Sequence, residues 1–223
     1  MQNKVLTSVR FMVLWILGNM AALYATLFVG VLAIIASVII VAIAALTPSV
    51  PTATVAAVLV LAAFAFIGAM MGLITGSIQK GVLRQRYRAR FDGWVLASVI
   101  GGALGMLITA IIIGEPIRQS IANLTLPKRE AFIFYGALPA VVPLAGLGAL
   151  QTVVLLRYAK AAWLWLLANV VSGLVLFALL LSLTSGGLVL WVLLIGVSAA
   201  PAIVTGFALL WLLTFNARSH WPD

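Results

Sequence analysis

The chain has 223 residues, of which 65% are hydrophobic and 8% charged, with a formal net charge of +9. Residues 11–79 and 161–217 contain no Asp, Glu, Lys, Arg or His. That excludes a soluble globular domain and puts the chain in the membrane class, where about 20 apolar residues suffice to cross the hydrocarbon core. The absence of cysteine also removes disulfides, thiolate metal ligands and thiol nucleophiles.

In chain order, MQNKVLTSVR resembles the charged start of a signal peptide, but the apolar run behind it is too long for a cleavable core and reads as an uncleaved first span. The first helix is expected within residues 11–46 and ends before Pro48 and Pro51. Its reach of about 54 Å exceeds a hydrocarbon core of about 30 Å, so it should tilt, break near Gly30 or begin in the interface. Further helices are predicted over 55–79, 94–113, 132–156, 162–183 and 188–214, between breaks made by turn residues and charges. Between the third and fourth, Pro116 followed by Ile117, Ile121 and Leu124 predicts a short interfacial helix within 115–130. The fold class is therefore all-α: one integral membrane domain over 1–223 with about six transmembrane helices.

An even number of spans puts both termini on one side, together with Lys80, Arg84, Arg86, Arg88, Arg90 and the segment RYAK. That side carries ten basic residues, against Arg118, Lys128 and Arg129 opposite. By the positive-inside rule it is cytoplasmic, which fits a bacterial inner membrane with both termini in the cytoplasm. The basic run between the second and third helices is expected to contact anionic lipid headgroups or an acidic partner. It is too short to form a groove for nucleic acid, and no nucleic-acid partner is expected.

The sequence also repeats. GLITGSIQKGVL at 72–83 aligns with LAGLGALQTVVL at 144–155, pairing Gly76 with Gly148 and Gln79 with Gln151. WVLASVIGG from 94 aligns with WLLANVVSG from 165, pairing Trp94 with Trp165. Arg10, Trp15 and Asn19 repeat the spacing of Lys160, Trp165 and Asn169, and Gly206 with Leu209 take the places of Gly76 and Gln79 in the last helix. These matches predict three tandem parallel hairpins, approximately 10–79, 94–156 and 162–214. Glycines at four-residue spacing, Gly68, Gly72 and Gly76, then Gly101 and Gly105, predict close helix packing. Trp15, Trp94 and Trp165, at the cytoplasmic helix ends, are expected to anchor at the headgroup boundary.

The four acids, Asp92, Glu115, Glu130 and Asp223, all fall in predicted loops or the tail, and the only histidine is His220. Acid–base chemistry within the membrane lacks its groups, no metal site can be assembled, and the hydroxyls have no base to activate them. The neutral polar residues, Asn19, Asn169, Ser98, Thr109, Ser172 and Thr205 among them, are read as hydrogen bonds between helices, with Asn169 reaching a neighbour. A candidate pocket is placed at Pro139, Pro143, Asn169 and Pro201, because proline frees a carbonyl and kinks its helix.

The pattern GxxxGxxQ, then LR, a short basic loop, a Trp and a Gly-rich helix start, over residues 72–177, resembles uncharacterised bacterial multi-pass membrane proteins. That likeness implies no activity. In size, six-helix architecture and lack of a soluble domain, the chain is similar to the substrate-binding subunits of energy-coupling-factor vitamin transporters. AALYA at 21–25 resembles their small-residue docking motif. No ligand residue follows from it.

Chemical poverty combined with many close-packing devices leads to the expectation of a non-catalytic subunit or scaffold that packs against other membrane proteins and lipids. The alternative is a binding subunit or facilitator for a small neutral or lipophilic molecule. No cofactor is required, and a bound lipid, quinone or carotenoid is compatible with either reading.

Overall fold

The computed structural model describes residues 2–45, 52–87, 91–122, 129–184 and 190–215. Among the described residues six helices form: α1 (Gln2–Ala45), α2 (Thr52–Tyr87), α3 (Trp94–Ala122), α4 (Arg129–Leu155), α5 (Trp163–Thr184) and α6 (Leu190–Phe215). Within them Thr7–Ile40, Thr54–Tyr87, Trp94–Gly114 and Ala137–Leu155 are long and apolar enough to cross a membrane, and Trp163–Leu179 and Ala199–Phe215 are shorter apolar stretches. The chain is an all-α polytopic membrane protein.

Each helix packs on its neighbours in sequence, and α1 also meets α6, so the six close into a ring. The hydrophobic core lies at one end of that ring. It joins Phe11 and Trp15 of α1, Leu83 of α2, Trp94 of α3, Leu155 of α4, Trp165 of α5 and Leu212 of α6. These are residues from the N-terminal parts of the odd helices and the C-terminal parts of the even ones, so successive helices run antiparallel.

Several boundaries differ from the sequence reading. α1 continues through Gly30 without a break and has 44 residues, about 66 Å at the helical rise. α2 extends to Tyr87, which moves Lys80, Arg84 and Arg86 from the expected loop onto its last turns. An apolar helix that ends in arginines need not stop at the hydrocarbon edge, because long basic side chains reach the interface from the helix itself. Arg88 and Arg90 lie outside the described residues. α3 runs through Pro116 to Ala122, so no separate interfacial helix starts there, and 123–128 lie outside the described residues.

The turn into α3 uses two left-handed residues, Phe91 (φ 39°) and Gly93 (φ 84°). Glycine takes that conformation readily, whereas for phenylalanine it costs energy. Burial compensates at Phe91, which is fully covered, with its ring 4.8 Å from Tyr158 and 6.0 Å from Trp94.

Glycines set the helix spacing. A Cβ placed on Gly72 would overlap the Ser98 carbonyl, one on Gly68 the Gly102 carbonyl, and one on Gly101 the Gly146 carbonyl. The backbones of α2, α3 and α4 are therefore in contact, which small residues permit and which dispersion rewards in lipid. Gly72→Val should push α2 from α3 and lower stability by about 1–3 kcal/mol, the usual cost of overpacking. Gly81→Ala, where an added Cβ meets nothing within 4 Å, should be neutral or slightly stabilising. Thermal unfolding of the two variants in detergent checks the contrast.

Candidate functional site

Polar side chains at the packed end form one connected chain of hydrogen bonds. The Trp165 indole donates to Gln151 Oε1 at 2.9 Å, and Gln151 Nε2 donates to Gln79 Oε1 at 3.0 Å. Gln79 Nε2 then donates to Asn19 Oδ1 at 2.9 Å, and Asn19 Nδ2 to the Trp15 carbonyl at 2.8 Å. From Trp15 the indole continues to Thr205 Oγ1 at 3.2 Å. α3 joins through Trp94 Nε1, 3.3 Å from Gln79 Oε1, and through Ser98 Oγ, which accepts from Gln151 Nε2 at 2.7 Å. All six helices are thereby tied together by side chains that carry no formal charge.

The sequence explains why glutamine is used. An indole N–H in a dry interior needs an acceptor, and a carboxylate would need a compensating charge that the span lacks. A glutamine amide accepts and donates at once and can pass the interaction on. Gln79 and Gln151 are accordingly 5% and 1% exposed.

Trp15, Trp94 and Trp165 are completely buried, which overturns their expected placement at the headgroup boundary. Trp165 lies 6.0 Å from Trp15 and 5.9 Å from Trp94, ring centre to ring centre. The cause is the network: each indole N–H already has a side-chain acceptor inside the bundle, so it has no need of headgroup water. One turn beyond each tryptophan a polar side chain bonds its carbonyl: Asn19 to Trp15, Ser98 to Trp94 and Asn169 to Trp165, each at 2.8 Å. Asn169 thus bonds its own helix, not the neighbour expected from sequence, and it packs where a Cβ on Gly148 would fall.

Beside the network is a cavity of about 90 Å³. Its walls are Asn19, Leu23 and Thr26 of α1, Met71, Thr75 and Gln79 of α2, Leu144, Leu147 and Gln151 of α4, Asn169, Ser172 and Leu176 of α5, and Pro201, Ala202 and Thr205 of α6. That volume holds a few waters or one solute of a handful of heavy atoms. No acid or base lines it, and among the described residues no group of His, Cys, Asp or Glu could hold a metal ion.

Of the four residues proposed for a pocket, Asn169 and Pro201 line this cavity. Pro143 and Pro139 do not. Pro143 is buried where a Cβ on Gly105 would meet it, so α3 covers that face of α4, and Pro139 is exposed on the outside of the bundle. Proline position alone does not show which face of a helix looks inward. The Pro201 carbonyl instead serves as an acceptor within reach of Ser172 Oγ at 3.1 Å and Thr205 Oγ1 at 3.0 Å. Sequence reasoning passed over Thr26 and Thr75; their signal was a spacing of seven from Asn19 and four from Gln79, which keeps each on its neighbour's face.

Arg86 has its own surroundings. Its guanidinium carbon lies 5.4 Å from the Phe11 ring centre and 5.3 Å from that of Tyr87, and Nη2 donates to Ser8 Oγ at 3.1 Å. Arg84 is exposed.

Compared with protein-family models, curated proteins and solved structures, the chain has no match.

Removing one network member leaves buried partners unmatched. Gln79→Leu should cost about 1–3 kcal/mol, because the Trp94 indole and the Asn19 carbonyl oxygen lose their partners. A double-mutant cycle with Gln151→Leu should give a coupling of about 0.6–1.7 kcal/mol, the range seen for hydrogen bonds between membrane helices. Denaturant unfolding of the four proteins in detergent measures both.

Proposed function

We propose that the chain is a non-catalytic integral membrane protein that holds a small, neutral, hydrogen-bonding molecule in the cavity between its helices, as a binding subunit or facilitator. The observation that carries this reading is the carbonyl oxygen of Asn169. Asn169 lines the cavity, its amide nitrogen is engaged with the Trp165 carbonyl, and among the described residues its oxygen receives no hydrogen bond. A solute N–H or O–H would supply the missing donor, while Leu23, Met71, Leu144, Leu147 and Leu176 cover its apolar parts. The uncharged walls favour a neutral solute, because an ion would enter without compensation. Catalysis is not proposed, since among the described residues no acid or base lines the cavity to activate the hydroxyls of Thr26, Thr75, Ser172 and Thr205.

The tandem hairpin repeat belongs to the same reading. It is supported by the shared geometry of the three tryptophans and by Gln79 and Gln151 meeting at one level. In the third unit Thr205 accepts the indole where the others use glutamine. An excess of Lys and Arg at the basic end supports a cytoplasmic position for it, in a bacterial inner membrane.

A second reading, an accessory subunit that packs against another membrane protein, is favoured by the distal half of α1. There Leu27, Phe28, Val31, Leu32, Ile34, Ile35, Val38 and Ile39 are exposed around most of the helix. Lipid covers such a surface equally well, so the cavity decides between the two.

Asn169→Ala should weaken binding about tenfold, because a hydrogen bond of about 1.4 kcal/mol to the solute is lost, while the glutamine and indole bonds that join the helices stay in place and only the bond to the Trp165 carbonyl of the same helix goes. Ala202→Leu, which fills the cavity from a wall residue outside the network, should abolish uptake. Stopped-flow swelling of proteoliposomes with urea, glycerol and acetamide reads both. Swelling no faster than in protein-free vesicles for all three solutes, or equal rates in wild type and Ala202→Leu, would remove the solute reading.

A further inference from the structure

Arg86 is a second unresolved group, at the basic end and on the outer side of the network. A guanidinium has five N–H donors and no acceptor. One bond goes to Ser8 Oγ, and Nε and Nη1 are buried with no hydrogen-bond partner among the described residues. Among the described residues no carboxylate pairs with Arg86. Stacking on Phe11 and Tyr87 stabilises the faces of the cation, and the Tyr87 hydroxyl lies near it, but Nε and Nη1 remain unmatched. Buried donors without acceptors are costly and rare.

Next to this group lies a groove of about 330 Å³ between α1 and α2, lined by Thr7, Arg10, Phe11, Leu14, Val82, Gln85 and Arg86. Its polarity follows depth. The outermost positions, Thr7 and Arg10 of α1 and Gln85 and Arg86 of α2, are polar or cationic, and Leu14 and Val82, one turn further into the span, are apolar. A free anion would use only the outer part. A phospholipid would use both.

We propose that this groove is a binding site for an anionic phospholipid, with the phosphate held by Arg86 and Arg10 and the first part of an acyl chain lying on Leu14 and Val82. Guanidinium binds phosphate oxygens through paired, charge-assisted hydrogen bonds, and because Nε and Nη1 are covered, Arg86 must turn toward the groove to offer them to such a phosphate. Ser8 and the two rings hold the side chain near that position before the lipid arrives. Loose attraction of surface arginines to a charged membrane would fall on exposed Arg84 as well, whereas a built site singles out Arg86 and Arg10. The site is separate from the cavity and does not depend on the solute reading.

The test is native mass spectrometry of the protein released from nanodiscs that contain equal amounts of phosphatidylglycerol and phosphatidylcholine. Wild type should retain one phosphatidylglycerol in preference to phosphatidylcholine, and 10 mM inorganic phosphate, roughly the level that would fill a weak free-anion site, should not displace it. Arg86→Gln and Arg10→Gln should each reduce retention about tenfold, as expected for loss of one charge-assisted hydrogen bond. Arg84→Gln should retain lipid like wild type. Arg10 is exposed, so its variant remains informative even where Arg86→Gln fails to fold. Equal retention in Arg10→Gln and wild type, no preference for the anionic lipid, or displacement by inorganic phosphate would each overturn the site.

Discussion

The bundle depends on one constraint: three indole N–H groups are fully buried between helices that offer them no charged acceptor. Trp15, Trp94 and Trp165 are completely buried, and each needs an acceptor. Two are received by glutamine and one by threonine. Because an amide that accepts can also donate, the glutamines extend the interaction from helix to helix until the ring is joined. Glycine-lined contacts between α2, α3 and α4 bring the backbones close enough for those short side chains to reach. Packing and polarity are thus two parts of one arrangement.

The same arrangement places the cavity. At the tryptophan level the interior is filled by aromatic rings. Further along, the lining changes to Leu, Met, Ala and Thr, which leave space, and the network amides Asn19, Gln79, Gln151 and Asn169 form part of the same wall. Asn169 is the clearest case, with one end tied to Trp165 and the other unused. In an apolar medium an unused acceptor has few alternatives, so a neutral donor entering the cavity meets little competition.

Much of this was legible in sequence, for a definable reason. Hydropathy reports where backbone must satisfy itself within a helix, so six helices could be read from apolar runs and turn residues, and the glycine spacing pointed to contact. Gln79 and Gln151 could be paired from the internal alignment, but only coordinates showed them bonded to each other. Where the reading failed, it lacked a face or an end. A tryptophan near a helix terminus satisfies both an interfacial rule and a buried one, and only the nearby glutamine on another helix decides for burial. Pro139 and Pro143 indicate an altered α4 without saying which side looks inward. Charge usually ends a span, so the basic run reads as loop in sequence, yet α2 carries Lys80, Arg84 and Arg86 on continuous helix. Tyr87 adjoins Arg86 in the sequence, but Phe11, which completes its enclosure, comes from a distant helix and leaves no local pattern.

The most direct test of the central claim is NMR of the protein labelled with ¹⁵N at tryptophan in nanodiscs, with the broadening of each indole signal by spin-labelled lipid as the observable. The account predicts that Trp15, Trp94 and Trp165 remain sharp and exchange slowly with solvent, while Trp163 and Trp211, 60% and 46% exposed, broaden strongly. Strong broadening of Trp15, Trp94 and Trp165 would put these indoles in lipid, and the network that joins the six helices could not exist.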